Sequence, residues 1–131
     1  MADQTVSQMD GPQAVFARPT LSVLTKRADF VRCSNAKRHG TAGIHLQARK
    51  RRDDEPVNGI RVGFTSSKKV GNAVARNRAK RRLREIARIV LPQYGRDGWD
   101  YVLVGRAGTT ASLPFTQLQS DMIRAMERVH K

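Results

Sequence analysis

The side chains of this 131-residue sequence best equipped for chemistry are cations, and the chemistry open to them is the holding of anions. Residues 65–88 read T-S-S-K-K-V-G-N-A-V-A-R-N-R-A-K-R-R-L-R-E-I-A-R, nine Lys or Arg against a single acid, Glu85. Ammonium and guanidinium groups stay charged near neutral pH, and Arg adds a planar fork of donors that suits phosphate oxygens. Groups able to break bonds are scattered by comparison. His39, His45 and His130 have no ligand-like spacing to one another or to acids. Cys33 is the only cysteine, so neither an internal disulfide nor a thiolate zinc site can form, and it is expected to pack as a small hydrophobe. Asp53-Asp54-Glu55, adjacent to Lys50-Arg51-Arg52 and followed by Pro56, Asn58 and Gly59, reads as a solvated loop. With no carboxylate cluster suited to two metal ions and no histidine pair suited to acid–base cleavage, the expected role is binding: no catalytic residue, and no metal or other cofactor held by the protein alone.

The cations need an element to present them. From Asn72 onward the spacing is helical, with Ala79, Leu83, Ile86, Ala87 and Val90 within about a third of the circumference as a buried stripe. Arg76, Lys80, Arg84 and Arg88 recur every fourth residue beside it, and Arg78, Arg81 and Arg82 cover most of the rest. Like charges at this spacing repel by about 0.2–0.5 kcal/mol per pair, so an external polyanion must reward the pattern. A merely solvated face would mix both signs. Asn72 is placed to cap the helix, Gly71 permits a tight entry, and Leu91-Pro92 is expected to end it. Asn77, an uncharged amide inside the cationic run, suits a directional hydrogen bond.

The remaining elements follow from shorter patterns. Residues 1–19 are polar and aperiodic and read as a flexible tail, leaving residues 20–131 as one RNA-binding domain. Thr25 is the expected cap of a short first helix ending near Asn35, with Phe30 and Cys33 on its inward stripe and Lys26, Arg27, Arg32 and Lys37 outward. Residues 43–49 alternate Ile44, Leu46 and Ala48 with polar neighbours, as in a half-buried strand, and residues 60–65 make the next; the two are expected to pair antiparallel. Residues 100–105, D-Y-V-L-V-G, read as a buried strand parallel to 60–65 across the basic helix, with Trp99 a packing residue at its start. Ser112 is the expected cap of a last helix whose face is Phe115, Leu118, Met122, Ala125 and Val129. The fold class is α+β, a small mixed sheet of about four strands with three helices. A net charge of +14 fits a nucleic-acid binder. No apolar run approaches the roughly 20 residues of a membrane span and no signal-peptide pattern opens the chain, so a cytoplasmic protein without a membrane partner is expected.

The run Arg76-Asn77-Arg78-Ala79-Lys80-Arg81-Arg82-Leu83-Arg84, preceded by V-G-x-x-x-S-K-K-x-G-N-A-V from Val62 to Val74, resembles the signature of the bacterial ribonuclease P protein subunit. The resemblance covers about residues 21–129. It implies the order α-β-β-β-α-β-α and a left-handed β-α-β crossover. It further implies a subunit of an endoribonuclease that removes the 5′ leader of precursor tRNA, with the active site and its Mg²⁺ ions in the ribonuclease P RNA. The protein is then a monomer, one per RNA, whose partners are that RNA and precursor tRNA. Catalytic-RNA contacts fall on Lys68, Lys69, Asn72, Arg76, Asn77, Arg78, Lys80, Arg81 and Arg84, and leader contacts on Phe30, Gln47 and Ser66. Ser34 and Gln47 stand where the family often carries further aromatics, so leader binding leans on phosphates and hydrogen bonds more than on stacking. The rival readings are a ribosomal-type RNA-binding protein or RNA chaperone, a DNA-binding protein, for which no turn-helix pair precedes the basic helix, and a stand-alone nuclease.

Overall fold

A computed structural model describes residues 20–55, 58–66 and 71–131. The expected tail, and Lys68 and Lys69, lie outside the described residues. In chain order the elements are β1 (Leu21–Val23), α1 (Arg27–Ser34), β2 (Lys37–Gly40), β3 (Ile44–Lys50), β4 (Ile60–Ser66), α2 (Ala73–Tyr94), β5 (Trp99–Gly105), α3 (Thr109–Ser112) and α4 (Phe115–Val129). The α+β class is as expected, with five strands rather than about four and four helices rather than three. The extra strand β1 and extra helix α3 are too short, at three and four residues, to show a period.

The strands form one sheet in the order β1-β4-β5-β3-β2. The antiparallel pairing expected between residues 43–49 and 60–65 is not made: β5 lies between them, parallel to β4 and antiparallel to β3. Residues 101–103 of β5 are all buried, so both its faces need cover, which the centre of a sheet supplies. Strand β3 alternates buried and half-buried residues and β4 is half-buried over its last three, so both tolerate flanking places.

Alternation along the strands sorts side chains into two layers. Ile44, Leu46 and Ala48, Ile60 and Val62, and Tyr101 and Leu103 join Leu83, Ile86, Ala87, Val90 and Leu91 of α2 and the inner face of α4 in the main core. All five residues of the predicted α2 stripe are buried. Opposite, Leu24, Cys33 and Val102 form a smaller cluster with Phe30 and Val104 under α1. Burial, then the nearby Asp100 carboxylate, pushes the Cys33 thiol up to about 12, so it stays a protonated packing group.

Four local expectations are corrected. Helix α1 is capped by Lys26, not Thr25, and without a side-chain bond; Leu24 N–H still donates to Val62 O at 2.9 Å, holding the chain beside β4 up to that point. Pro92 sits inside α2, which runs on to Tyr94. In that last turn its missing N–H costs only a bond to exposed Arg88, while continuing the helix keeps Leu91 fully buried. Ser112 ends α3 and donates to Gly108 O, whereas α4 starts after Pro114, whose fixed φ suits a helix entry. Finally, Glu55 is not solvated: Arg49 grips its carboxylate through Nη2 at 2.7 Å and Nη1 at 3.2 Å, holding it down to about 2.

The C-terminus is tied to the sheet through a ring cluster. Trp99 packs on Tyr101 and lies edge-on to His130, with ring centroids 4.4 Å apart in the second pair. The Tyr101 hydroxyl accepts from Arg96 N–H at 2.9 Å and lies 2.6 Å from His130 Nε2. Its proton is therefore donated to Nε2, which keeps the imidazole neutral. Burial, then Arg96 and Lys37, lower the His130 pKa to about 4. A base depressed in the fold binds its proton more readily unfolded, so stability is expected to fall as pH drops from about 6.5 to about 4. His130→Phe should flatten that limb of a urea-melt pH series; an unchanged limb would assign it elsewhere.

Candidate nucleic-acid interface

Helix α2 has 22 residues and is about 33 Å long. Its entry is built as the sequence suggests: Gly71 has φ +135°, open to glycine, and the Asn72 side chain accepts from Ala75 N–H at 3.0 Å. Asn72 is thus placed as a cap. Beyond it Asn77, Arg78, Arg81 and Arg84 are exposed and Arg76 and Lys80 half-buried. Arg76 donates to Gly71 O at 2.9 Å and Arg82 to Thr110 O at 3.0 Å. Glu85 is taken by Arg88, whose Nε and Nη2 both reach its carboxylate. Among the described residues none of Arg76, Arg78, Lys80, Arg81, Arg82 and Arg84 is paired with an acid.

The acids are used elsewhere. Asp100 is fully buried and receives Arg51 Nη1 at 2.6 Å and Arg61 through Nε at 2.8 Å and Nη2 at 2.7 Å, with Arg49 Nη1 3.7 Å away. Arg51, itself buried, also donates to Trp99 O, Asn58 O and Gly59 O. Asp29 of α1 lies 3.2 Å from Arg32 and 3.6 Å from Arg61. These ion pairs join β3, β4, β5 and α1 at one end of the sheet. Cations indistinguishable by type are thereby divided: Arg49, Arg51 and Arg61 hold the fold, and Arg78, Arg81 and Arg84 of α2 are exposed.

A second feature lies on the α1 face. The eight residues of α1 cover only part of the sheet, leaving a cleft of about 490 Å³ lined by Thr25, Arg27, Phe30, Ser34, Gln47 and Thr65, with Val31, Phe64 and Val102. Phe30, Gln47 and Ser34 are therefore brought together across a helix and a strand. Farther along β3, burial and then Arg106, Arg38 and His39 lower the pKa of His45, a sign of positive potential on this face. Ser66 is not part of the cleft. It pairs with Gly105, at which a Cβ would lie 3.3 Å from Ser66 Cβ and 3.6 Å from Leu83, so Ser66 belongs to the α2 face; its Oγ is buried without a partner among the described residues. Thr65, one residue earlier, takes the cleft position. Strand parity alone could have found it, given one known inward residue; Phe64 and Val102 required the sheet order.

Phe30 both packs and lines the cleft. Its ring lies where a Cβ on Gly63 would come within 2.6 Å of it, so glycine at 63 lets the ring lie flat on β4. Gly63→Ala is expected to push the ring outward and destabilise the fold by about 1–3 kcal/mol, as overpacking does. Denaturant midpoints for Gly63→Ala alone and with Phe30→Leu check this, since the smaller side chain should restore part of the loss.

Comparison with known proteins bears on the whole chain. The sequence profile of the Ribonuclease P family matches residues 19–130. The chain is 59% identical over 117 residues to the ribonuclease P protein component of Ruegeria pomeroyi, covering 89% of this chain and 93% of that one. To the corresponding protein of Paramagnetospirillum magneticum it is 46% identical over 111 residues, covering 83% of each. Among solved structures, the fold is similar to the RNase P protein of Thermotoga maritima, with a TM-score of 0.65 at 24% identity over 82% of this chain and 96% of that one. The protein of Staphylococcus aureus gives 0.63 at 23%, over 81% and 93%.

Proposed function

Because the chain belongs to the ribonuclease P protein family, we propose that it is the protein subunit of a ribonucleoprotein endonuclease that frees the mature 5′ end of tRNA, with bond breaking left to the RNA subunit. Exposed Arg78, Arg81 and Arg84, with Arg76, Lys80 and Asn77, contact the RNA subunit's backbone, and Lys68 and Lys69 are assigned to the same RNA. The observation that carries this reading is that these α2 cations, among the described residues, have no acid of the same chain to neutralise them. Each phosphate they meet releases condensed counterions.

The cleft beside α1 is proposed to receive the unpaired 5′ leader. Phe30 offers a ring on which a base stacks for about 1–3 kcal/mol; Ser34, Gln47 and Thr65 offer hydrogen bonds, and Arg27 a charge. Such a surface holds single strands with little sequence preference. Gly63→Ala, by displacing Phe30, should then narrow the preference for precursor over mature tRNA. We assign Mg²⁺ to the RNA. The buried carboxylates of Asp100 and Asp29 are engaged by guanidinium groups, which compete with a divalent cation for the same oxygens, and the described residues hold no group of three or more His, Cys, Asp or Glu arranged for a metal. The protein assists by fixing RNA geometry and screening phosphate repulsion, with one monomer per RNA. No helix of the described residues is long and apolar enough to cross a membrane, and the cytoplasm, where tRNA is processed, is the proposed location.

Reconstitution tests the reading. Mixed with its ribonuclease P RNA at low Mg²⁺, the protein should accelerate leader removal, and alone it should cleave nothing. Binding without acceleration would indicate an RNA chaperone, and cleavage without RNA a stand-alone nuclease.

A further inference from the structure

On the sheet face opposite the Phe30 cleft, α2 and the first turn of α4 enclose a second groove of about 400 Å³, lined by Arg81, Arg82, Arg84, Glu85, Arg88 and Phe115. Phe115 begins α4, packs one side against the main core and remains partly exposed on the other. Arg82 is pinned to Thr110 O at 3.0 Å with its guanidinium 6.0 Å from the Phe115 ring centroid. The guanidinium lies over the ring, and both line the groove. Arg81 and Arg84 line it too, exposed and without an acid partner among the described residues. The one acid of the groove, Glu85, is already neutralised by Arg88, so it does not repel an incoming anion.

An aromatic ring and a guanidinium plane lining one groove with further cations are suited to an aromatic anion. Among the units of an RNA, an unpaired nucleotide has that chemistry: its base can stack on a ring or a guanidinium plane while the adjoining phosphates meet arginines. A duplex keeps its bases stacked internally and could offer this recess only phosphates. The volume lies within the roughly 300–1,000 Å³ range of sites for small organic groups. The sheet separates this groove from the α1 cleft, so a leader seated on Phe30 does not continue directly into it.

We propose that the α2–α4 groove captures an unpaired nucleotide of the RNA subunit, with the base on Phe115 beside Arg82 and the flanking phosphates on Arg81 and Arg84. This rests on the reading of α2 as the RNA-subunit contact and adds a stacking subsite to a surface otherwise made of charge. Stacking differs from charge in its response to salt, which supplies the test.

The affinity of full-length protein for its ribonuclease P RNA is measured against salt for Phe115→Leu, Phe115→Trp and the pair Arg76→Ala with Lys80→Ala. Phe115→Leu keeps apolar packing and loses the ring; it should weaken binding by roughly 5- to 100-fold with an unchanged salt slope. Phe115→Trp should bind as tightly as the parent. Acylation of RNA 2′-hydroxyls should show an unpaired nucleotide protected by the parent protein, exposed with Phe115→Leu and still protected with Phe30→Leu. Thermal melts of the free proteins establish that each variant is folded. Unchanged affinity and protection with folded Phe115→Leu would overturn the subsite while the α2 pair, if it weakens binding, keeps the general reading standing. Equal losses in the Leu and Trp variants would overturn it too, by assigning the effect to packing. If neither the ring nor the α2 pair matters, both readings fall together.

Discussion

Raising salt from 50 to 200 mM is expected to weaken binding to the RNA subunit by roughly 10³-fold or more, with a slope of log affinity against log salt near −5 to −7. That range follows from about six to eight neutralised phosphates at about 0.9 counterion each. On the proposed interface Arg76, Arg78, Lys80, Arg81 and Arg84 would supply five contacts from α2, and Lys68 and Lys69 would bring the total to seven. Replacing Arg76 and Lys80 together by alanine should flatten the slope by roughly 2 units, since two phosphates then keep their counterions. Alanine also favours the helix and removing two members of a repelling row stabilises it further, which offsets the lost bond from Arg76 to Gly71 O, and thermal melts of the free variant check that it is folded. A slope unchanged by the double substitution would remove both residues from the interface. Conversely, Arg49, Arg51 and Arg61 are spent on internal carboxylates, so alanine at these positions should lower stability and leave the salt slope of the folded fraction alone.

Asp100→Asn is expected to destabilise the fold by about 3–5 kcal/mol, the range for removing one partner of a buried ion pair. Arg51 and Asp100 side chains are both fully buried, at 0% exposure, and Arg61 closes the site from the edge of β4. Neutralising the carboxylate would leave the Arg51 guanidinium in low dielectric without the Asp100 charge that offsets its own. For a domain whose total stability is about 5–15 kcal/mol, this is a large share. The urea midpoint of Asp100→Asn measures it. If Asp100→Asn melts like the parent, the pair contributes little and the sheet end must be held by its apolar contacts instead.

The basic helix was legible because everything that specifies it lies within one stretch of chain: the stripe from Ala79 to Val90, the Asn72 cap and the surplus of arginines. Even there the end was misplaced, since Pro92 is read as a stop by local rules and overridden by the burial of Leu91. The family signature of residues 62–84 was equally contiguous, and the α+β class followed from it and from the alternation along β3. Phe30 and Gln47, assigned to the leader by resemblance, meet in one cleft of the fold. Ser66, grouped with them by resemblance, lies on the opposite face of the sheet, which strand parity against a known inward residue would show.

Arg51 marks the other limit. Within K-R-R-D-D-E it reads as one more solvated cation, yet its partner Asp100 lies 49 residues away and Arg61 reaches the same carboxylate across 39. No short window contains such a choice. Composition and local period establish that the chain has a cationic surplus and one helix to display it, because charge count and 3.6-residue spacing are properties of neighbouring residues. Which cations remain free for RNA, which strand takes the middle of the sheet and how wide a cleft α1 leaves are settled by pairing between distant segments, where burying Asp100 is favourable only once β3, β4 and β5 have come together around it.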